Sequence, residues 1–344
     1  MDTIKKVIAR LVNREDVPGA EVSSVMESVM DGAATSAQIG ALLMGLRMKG
    51  ETVEEIACAA AVMRRKAFRI SVNLAPGESL VDTCGTGGDA SGTFNVSTTA
   101  AFVVAGAGIK VAKHGNRSVS SRSGSADVLE ALGVNLDIPP EDMARAIEEL
   151  GIGFLFAPAL HPAMKYAVGP RRELGIRTIF NLLGPLTNPA GANVQVLGVY
   201  DPALTDPLAM VLGRLGAKRA WVVHGAGGLD ELSLIGETAV SEWDGKAVSS
   251  FKVRPEDVGI SPCGLEDIRG GDASENAVIL RGILSGAVGP KRDMAVLNAG
   301  AAIYIAGGGN DLKDGVKKAE ESIASGRALS KFQALVEFGA RFKK

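Results

Sequence analysis

The sequence predicts an α/β fold in which a small all-helical domain accompanies a large domain with a mostly parallel central sheet. Residues 1–72 carry helical patterns, whereas short apolar runs alternate with helical segments from Pro76-Gly77 onward. Such alternation is typical of βαβ units, which build a parallel sheet with helices on both faces. Hydrophobic residues make up 46% of the 344 positions, which is enough for a well-buried core.

The N-terminal part begins with an amphipathic helix in residues 1–16. Two capping boxes follow, at Thr35 to Gln38 and at Thr52 to Glu55, and each precedes a run with helical periodicity. Gly50 separates the two runs and is expected to end the first helix. We therefore predict a small helical domain at 1–72.

The α/β domain is predicted at 73–344, with strands and helices in alternating order. The predicted strands are 79–82, 108–112, 194–199 and 219–223, and the predicted helices are 96–106, 126–132, 208–215 and the segments of 295–344. Residues 154–188 interrupt this alternation with proline-rich and helical stretches. Part of 160–190 is therefore expected to join the N-terminal helical domain.

Charge, cysteines and hydropathy exclude several classes of protein. The formal net charge is −2, whereas proteins that bind nucleic acids or membrane surfaces usually carry a strong basic excess. Three scattered cysteines, Cys58, Cys84 and Cys263, provide neither a disulfide framework nor a zinc-ligand pattern. The N-terminus lacks a secretory signal, and the apolar runs are too short to span a membrane. We expect a cytoplasmic protein that binds neither nucleic acid nor membrane.

The first candidate site is the glycine-rich turn after the first predicted strand, Gly85-Thr86-Gly87-Gly88, with the following helix. That helix begins with Asn95, Ser97, Thr98 and Thr99. Glycines let backbone N–H groups surround an anion, and a helix N-terminus adds unpaired donors and partial positive charge. The spacing matches neither the P-loop nor the dinucleotide-binding pattern. The alternative is an ordinary tight turn with a well-capped helix.

The second candidate site is the loop at 113–125, which follows the second predicted strand. It contains three cations and five serines without an acidic residue. Because the carboxyl ends of parallel strands share one edge, this loop should lie beside the glycine loop. Its charge and donors suit pyrophosphate. The alternative is a solvated surface loop, and a lone histidine such as His114 is more often a structural hydrogen-bonding group than a catalyst.

The third candidate site is the adjacent pair Asp230-Glu231, within a glycine-rich segment after the strand at 219–223. Magnesium binds through few protein carboxylates and keeps water and phosphate as its other ligands. On its own this pair is more often a solvated turn. Beside two phosphate-binding loops it becomes the natural metal site.

Together these segments resemble the anthranilate phosphoribosyltransferase family. The resemblance extends over nearly the whole chain and rests on GTGGD at 85–89, KHGNRSVSSRSGSAD at 113–127, HPAMKYAVGPRRELGIRTIFNLLGPLTNP at 161–189 and GLDE at 228–231. It implies a homodimer whose fold is related to that of pyrimidine nucleoside phosphorylases. It also implies two magnesium ions and two substrates, phosphoribosyl pyrophosphate and anthranilate, in a reaction of tryptophan biosynthesis.

The resemblance also implies site residues. Magnesium is assigned to Ser97, Asp230 and Glu231, and anthranilate to Gly85, Asn116 and Arg171. Arg172 stays open as an alternative to Arg171, and no general acid or base is assigned. The residues implied for phosphoribosyl pyrophosphate are Gly85, Gly88, Asp89, Thr93, Asn95, Val96, Ser97, Thr98, Lys113, His114, Gly115, Asn116, Arg117, Ser118, Val119, Ser120, Ser121 and Ser125.

Two other functions are alternatives to this one. A pyrimidine nucleoside phosphorylase would share the fold but would use inorganic phosphate, and it would not need the Asp230-Glu231 pair. A non-catalytic relative that binds nucleic acid should be more basic than this chain. The residues favour the transferase over both.

Overall fold

The computed structural model describes residues 3–88, 91–118 and 122–342. Its N-terminal part is a helical bundle. It consists of α1 (Thr3–Val12), α2 (Gly19–Met30), α3 (Ser36–Lys49) and α4 (Val53–Lys66). Both predicted capping boxes are present: Thr35 pairs with Gln38, and Thr52 pairs with Glu55. The backbone leaves α3 at Gly50 with a φ of 89°, as the sequence predicts.

The rest of the chain forms strands and helices around one sheet. The strands are β1 (Leu80–Gly85), β2 (Lys110–Gly115), β3 (Ile152–Phe156), β4 (Val194–Gly198), β5 (Arg219–Gly225), β6 (Thr238–Trp243) and β7 (Val248–Val253). The helices are α5 (Val96–Gly106), α6 (Ser125–Ala131), α7 (Pro140–Leu150), α8 (Ala157–Leu160), α9 (Lys165–Leu174), α10 (Ile179–Leu186), α11 (Thr205–Arg214), α12 (Ala273–Leu284), α13 (Pro290–Ile305), α14 (Leu312–Ala324) and α15 (Arg327–Ala340). In the part of the chain that the structure describes, no helix is long and apolar enough to cross a membrane.

The sheet has the strand order β3-β2-β1-β4-β5-β6-β7. The first five strands in this order are parallel, and β6 and β7 add an antiparallel edge. The predicted fold class, a small helical part with a mostly parallel α/β part, is confirmed. Strands β3, β6 and β7 and helices α7 and α12 were not among the predicted elements. Strand β3 lies at the start of the region expected to break the alternation, and the β6–β7 hairpin was not predicted because β7 exposes most of its side chains.

The segment after β3 packs against the N-terminal bundle. Helix α9 contacts α2 and α3, and α10 contacts α3 and α4. The Arg64 side chain of α4 donates to the carbonyl oxygens of Leu186 and Leu215, at 2.7 and 2.9 Å, and so joins the bundle to the ends of α10 and α11. The division at residues 72 and 73 stays a prediction, since one apolar core runs from the bundle to one face of β4 and β5.

Helix α5 lies at the centre of the sheet face that is opposite to the N-terminal bundle. Ten of its residues, all except Ser97, are buried, and the helix packs against β1, β2, α13 and α15. A helix that is apolar on all sides belongs in the interior of a protein. Its N-terminus is therefore held in a fixed position beside the carboxyl end of β1.

Candidate active site

Two of the three predicted loops are in direct contact at the carboxyl edge of the sheet. The Asp230 Oδ2 atom accepts a hydrogen bond from the Gly87 N–H at 2.8 Å. The Glu231 Oε1 atom accepts one from the Ser97 N–H, in the first turn of α5, at 3.1 Å. Residues that lie more than 130 positions apart in the chain are thus brought to one place. The acidic pair adjoins both the glycine turn and the helix N-terminus.

This approach requires glycine at two positions of neighbouring strands. Gly85 of β1 pairs with Gly198 of β4. A Cβ atom at Gly198 would overlap the Asp230 carbonyl oxygen, and one at Gly85 would overlap Asp230 Oδ2. Beyond Gly85, Gly87 and Gly88 have φ values of 68° and 74°. Consecutive glycines with positive φ values can direct their N–H groups toward a common anion.

The N-terminus of α5 offers further donors. Asn95 is the N-cap residue, and its Nδ2 atom donates to the Ser123 carbonyl oxygen at 3.3 Å. The hydroxyl of Thr98 is buried and has no hydrogen-bond partner among the described residues. Val96 is buried behind this turn, and Thr93 forms an isolated bridge with Arg269. The helix dipole favours an anion at this end of α5.

A buried polar network lies beneath the glycine turn. Lys113, 4% exposed, donates through Nζ to the Thr83 carbonyl oxygen. Asp82 accepts from the His114 N–H at 3.1 Å and from Asn188 Nδ2 at 2.8 Å. Burial raises the pKa of Asp82. The network fixes the ends of β1 and β2 relative to each other and places a cation under the site.

The His114 side chain faces inward instead of toward solvent. Its ring centroid lies 5.2 Å from that of His161, and both residues are buried. Burial lowers the pKa of His161 to about 4 and holds the pKa of His114 well below its ordinary value. Both rings are therefore neutral near pH 7. The His114 ring supplies no positive charge for a phosphate, which agrees with the structural role that the sequence left open.

The basic loop, residues 113–125, is held in shape by Asp127, which follows it. Asp127 Oδ2 accepts from the N–H groups of Ser118 and Gly124, at 3.0 and 2.9 Å. The Arg117 guanidinium pairs with Asp127 and with Glu130, at 3.1 and 2.8 Å. In this structure Arg117 thus forms ion pairs with two acidic residues of α6, directly after the loop.

The remaining residues of this loop close it at its base. The Asn116 N–H donates to Ser125 Oγ at 3.2 Å. Gly115 lies so close to Ser125 that a Cβ atom would overlap the serine hydroxyl. Four of the predicted residues lie outside the described residues: Asp89, Val119, Ser120 and Ser121.

The arginines predicted for the acceptor lie on α9, in the helical part. Arg171 is partly buried, and its guanidinium carbon is 5.3 Å from the centroid of the Phe180 ring. Burial lowers the pKa of Arg171, so its charge is poorly solvated and suited to an anionic partner. Arg172 is exposed. Partial burial favours Arg171 of the two, and its assignment to the acceptor stays a prediction.

One arginine within the motif at 161–189 lies at the site although the sequence did not predict it there. Arg177 donates to the Gly88 carbonyl oxygen, and its guanidinium carbon lies 3.9 Å from the centroid of the Tyr200 ring. It therefore holds the glycine turn from the side of the helical part. Arg177 lies between Ile176 and the N-cap residue Thr178. The sequence around it gave no indication of this contact, because the partner lies 89 residues away.

The donor set suits an anion bound together with a magnesium ion. The described residues contain no group of three or more histidine, cysteine or acidic side chains that could hold a metal by themselves. Two carboxylates and the Ser97 hydroxyl leave positions for water and phosphate, which is how magnesium is usually bound. The glycine turn, the α5 N-terminus and Lys113 supply the complementary positive potential.

Comparisons with known proteins give consistent matches over nearly the full length. Residues 5–67 match the helical bundle domain of a glycosyl transferase family, and residues 77–329 match its a/b domain. The chain is 56% identical to anthranilate phosphoribosyltransferase of Geotalea uraniireducens, over 97% of this chain and 99% of that one. It is 55% identical to the enzyme of Geobacter sulfurreducens, over 97% and 98%.

Solved structures agree. The anthranilate phosphoribosyltransferase of Thermus thermophilus superposes with a TM-score of 0.92 at 48% identity, over 99% of this chain and 100% of that one. The Saccharomyces cerevisiae enzyme, in complex with PRPP and Mg, superposes with a TM-score of 0.89 at 30% identity, over 98% of each chain.

Replacing Gly198 by alanine tests the close approach of the acidic loop. The new Cβ would force the Asp230 backbone away from β4, and overpacking of this kind costs about 3 kcal/mol of unfolding free energy. We expect a lower melting temperature and faster hydrogen exchange at the Gly87 amide, because its acceptor moves. Gly282→Ala is the control, since its Cβ would meet only Ala287 at 3.9 Å. Unchanged exchange at Gly87 in the Gly198 variant would contradict the proposed constraint.

Proposed function

Because the chain belongs to the anthranilate phosphoribosyltransferase family, we propose that it transfers the phosphoribosyl group of phosphoribosyl pyrophosphate to the amine of anthranilate. The products are N-(5-phosphoribosyl)anthranilate and pyrophosphate, and the reaction is a step of tryptophan biosynthesis. The observation that carries the proposal is the contact of Asp230 and Glu231 with the N–H groups of Gly87 and Ser97. It joins an acidic pair to an anion cradle, as a donor that carries both diphosphate and metal requires.

The donor binds at the carboxyl edge of the sheet. Backbone N–H groups of the glycine turn and of the first turn of α5 bind its phosphate oxygens, and Thr98 offers a buried hydroxyl without a partner among the described residues. Lys113 contributes positive charge from below. The loop at 113–125 completes the site, and Arg117 can exchange its ion pairs with Glu130 and Asp127 for phosphate.

Two magnesium ions accompany the donor, held by Ser97, Asp230 and Glu231. A bound ion neutralises the diphosphate and makes it a better leaving group. The protein's own contribution is to place these oxygens beside the anion cradle. The glycines at 85 and 198 are what allow that placement, because any side chain there would displace Asp230.

The chemistry needs positioning more than proton transfer. The bond from the ribose anomeric carbon to the diphosphate oxygen breaks, and its electron pair leaves with pyrophosphate. The anthranilate nitrogen then bonds to that carbon and releases one proton to solvent. An aromatic amine is unprotonated at neutral pH, so no strong base is required. The lowered pKa values of His114 and His161 make both rings weak bases, which agrees with this. Catalysis then rests on orientation and on fixed dipoles.

The acceptor binds between the helical part and the phosphate loops. Anthranilate carries a carboxylate, and a guanidinium fork matches a carboxylate in charge and shape. Arg171, on α9, is the partly buried cation available for it, with Gly85 and Asn116 on the side of the sheet. Arg177 and Tyr200 hold the glycine turn at the same boundary.

We further propose that the chain works as a homodimer, with a mass in solution twice that of the chain. The bundle exposes apolar side chains suited to such a contact. Val12 of α1 and Met48 of α3 are 77% and 65% exposed.

The activity itself is tested by incubating the full chain with phosphoribosyl pyrophosphate, magnesium and anthranilate. Loss of anthranilate fluorescence that depends on all three components is the expected result. No loss with anthranilate, together with phosphorolysis of a pyrimidine nucleoside, would instead favour the nucleoside phosphorylase alternative.

Asp230→Asn and Glu231→Gln test the metal site without changing side-chain shape. Loss of a ligand charge should raise the magnesium concentration for half-maximal turnover by about 10- to 100-fold. The affinity for magnesium, measured by calorimetric titration of the chain in the presence of pyrophosphate, should fall in parallel. Glu237→Gln is the matched control, because Glu237 lies on the same β5–β6 connection but pairs with Lys252 and Arg254. Equal magnesium titrations for all variants and wild type would exclude this site.

Arg171→Ala tests the acceptor site. Loss of a charged hydrogen bond should raise the KM for anthranilate about tenfold or more, with the KM for the donor within about twofold. Arg171→Lys should recover little, because a lysine lacks the fork. Arg172→Ala decides between the two neighbours: if it gives the larger loss, Arg172 binds the acceptor. Equal losses for both substrates would count against either arginine.

A further inference from the structure

The segment that leads into α12, residues 268–272, packs against the loop at 92–95 that precedes α5. The Gly270 N–H donates to the Gly92 carbonyl oxygen at 2.9 Å, and the Phe94 N–H donates to the Ile268 carbonyl oxygen at 3.4 Å. The segment then enters α12 through a capping box between Asp272 and Glu275. The backbone at 92–95, which precedes α5 in the proposed donor site, is therefore hydrogen-bonded to a second stretch of backbone.

Asn276, in the first turns of α12, is the side chain at the centre of this contact. It is 2% exposed. Its Oδ1 atom accepts from the Gly271 N–H at 2.8 Å, and its Nδ2 atom donates to Asn95 Oδ1 at 2.9 Å and to the Gly271 carbonyl oxygen at 3.3 Å. Because a backbone N–H can only donate, it fixes which end of the Asn276 amide is oxygen. The NH₂ group must then face Asn95.

The orientation of the Asn95 amide follows from this contact. Asn95 Oδ1 accepts from Asn276, so Asn95 Nδ2 points the other way, toward the basic loop and the Ser123 carbonyl oxygen. An N-cap asparagine usually accepts from an N–H of the first helical turn. Within the described residues, Asn95 makes no such bond, and Glu231 occupies the Ser97 N–H instead. The NH₂ group of Asn95 therefore points between the glycine turn and the loop at 113–125.

We propose that Asn276 is a positioning residue for the donor: it turns the Asn95 amide so that its NH₂ group faces the phosphate of phosphoribosyl pyrophosphate. The inference rests on the proposed function. Asn276 does not touch the donor and acts through Asn95, 181 positions away in the chain. An acceptor at position 276 would reverse the Asn95 amide and present its oxygen to the phosphate.

A double-mutant cycle with Asn276→Asp and Asn95→Ala tests this inference. The aspartate has the same shape but cannot donate to Asn95 Oδ1. Binding of the donor with magnesium, without anthranilate, is measured by calorimetry. We expect each single variant to raise the Kd about tenfold, which is about 1.4 kcal/mol. In the Asn95→Ala background, Asn276→Asp should change the Kd less than about twofold, because residues that act through one contact are not additive.

A second variant keeps the test decisive if a buried carboxylate prevents folding. Asn276→Ala releases the Asn95 amide without reversing it, so its Kd should rise less, about two- to fourfold. This effect should also vanish in the Asn95→Ala background. For both variants, kcat with saturating substrates should stay within about threefold of wild type, since Asn276 lies away from the reacting atoms.

Asn135→Asp is the matched control. Asn135 donates to the Gly339 carbonyl oxygen at 3.1 Å in another part of the molecule. Its replacement by aspartate should therefore leave the Kd for phosphoribosyl pyrophosphate unchanged. Additive losses in the cycle, or wild-type binding by the Asn276 variants, would overturn the inference while leaving the proposed function intact. Failure of the wild-type chain to bind the donor with magnesium would refute the proposed function itself.

Discussion

The close approach of the Asp230-Glu231 segment to the ends of β1 and β4 is the constraint on which the site depends. It is possible because Gly85 and Gly198, paired side by side in the sheet, have no Cβ atoms. The two carboxylates then reach the glycine turn and the start of α5. Without this contact the acidic loop would be an ordinary surface turn, and the glycine turn would lack the acidic neighbour that we propose to bind magnesium.

The surrounding architecture keeps this contact in place. Helix α5 is buried along its length, so its N-terminus has little freedom to move away from the sheet. Lys113, Asp82 and Asn188 join the strands from below. Arg177 holds the glycine turn from the helical part, and Asn276 supports the loop before α5 from α12. Each of these groups is positioned by a different element, which is why the site is distributed over the whole chain.

The sequence predicted what depends on neighbouring residues. Capping boxes, glycine turns and the order of strands are local patterns, and they located the loops that meet at the sheet edge. Arg177 and Asn276 were missed because their partners, Gly88 and Asn95, lie 89 and 181 positions away. Strand β3 was missed because a short apolar run next to prolines does not distinguish strand from helix. The His114 ring likewise lies beside His161, 47 positions away in the chain, which only the fold brings near.

The hydrogen bonds from Gly87 and Ser97 to the acidic pair also determine how a ligand enters. Under the proposed function, the protein's own carboxylates occupy the donors that the diphosphate needs, so binding exchanges an internal anion for an external one. The affinity reflects only the difference between these two partners. Metal and sugar diphosphate are consequently coupled: a cation that attracts the carboxylates vacates the donors, and a diphosphate that takes the donors releases the carboxylates for the cation.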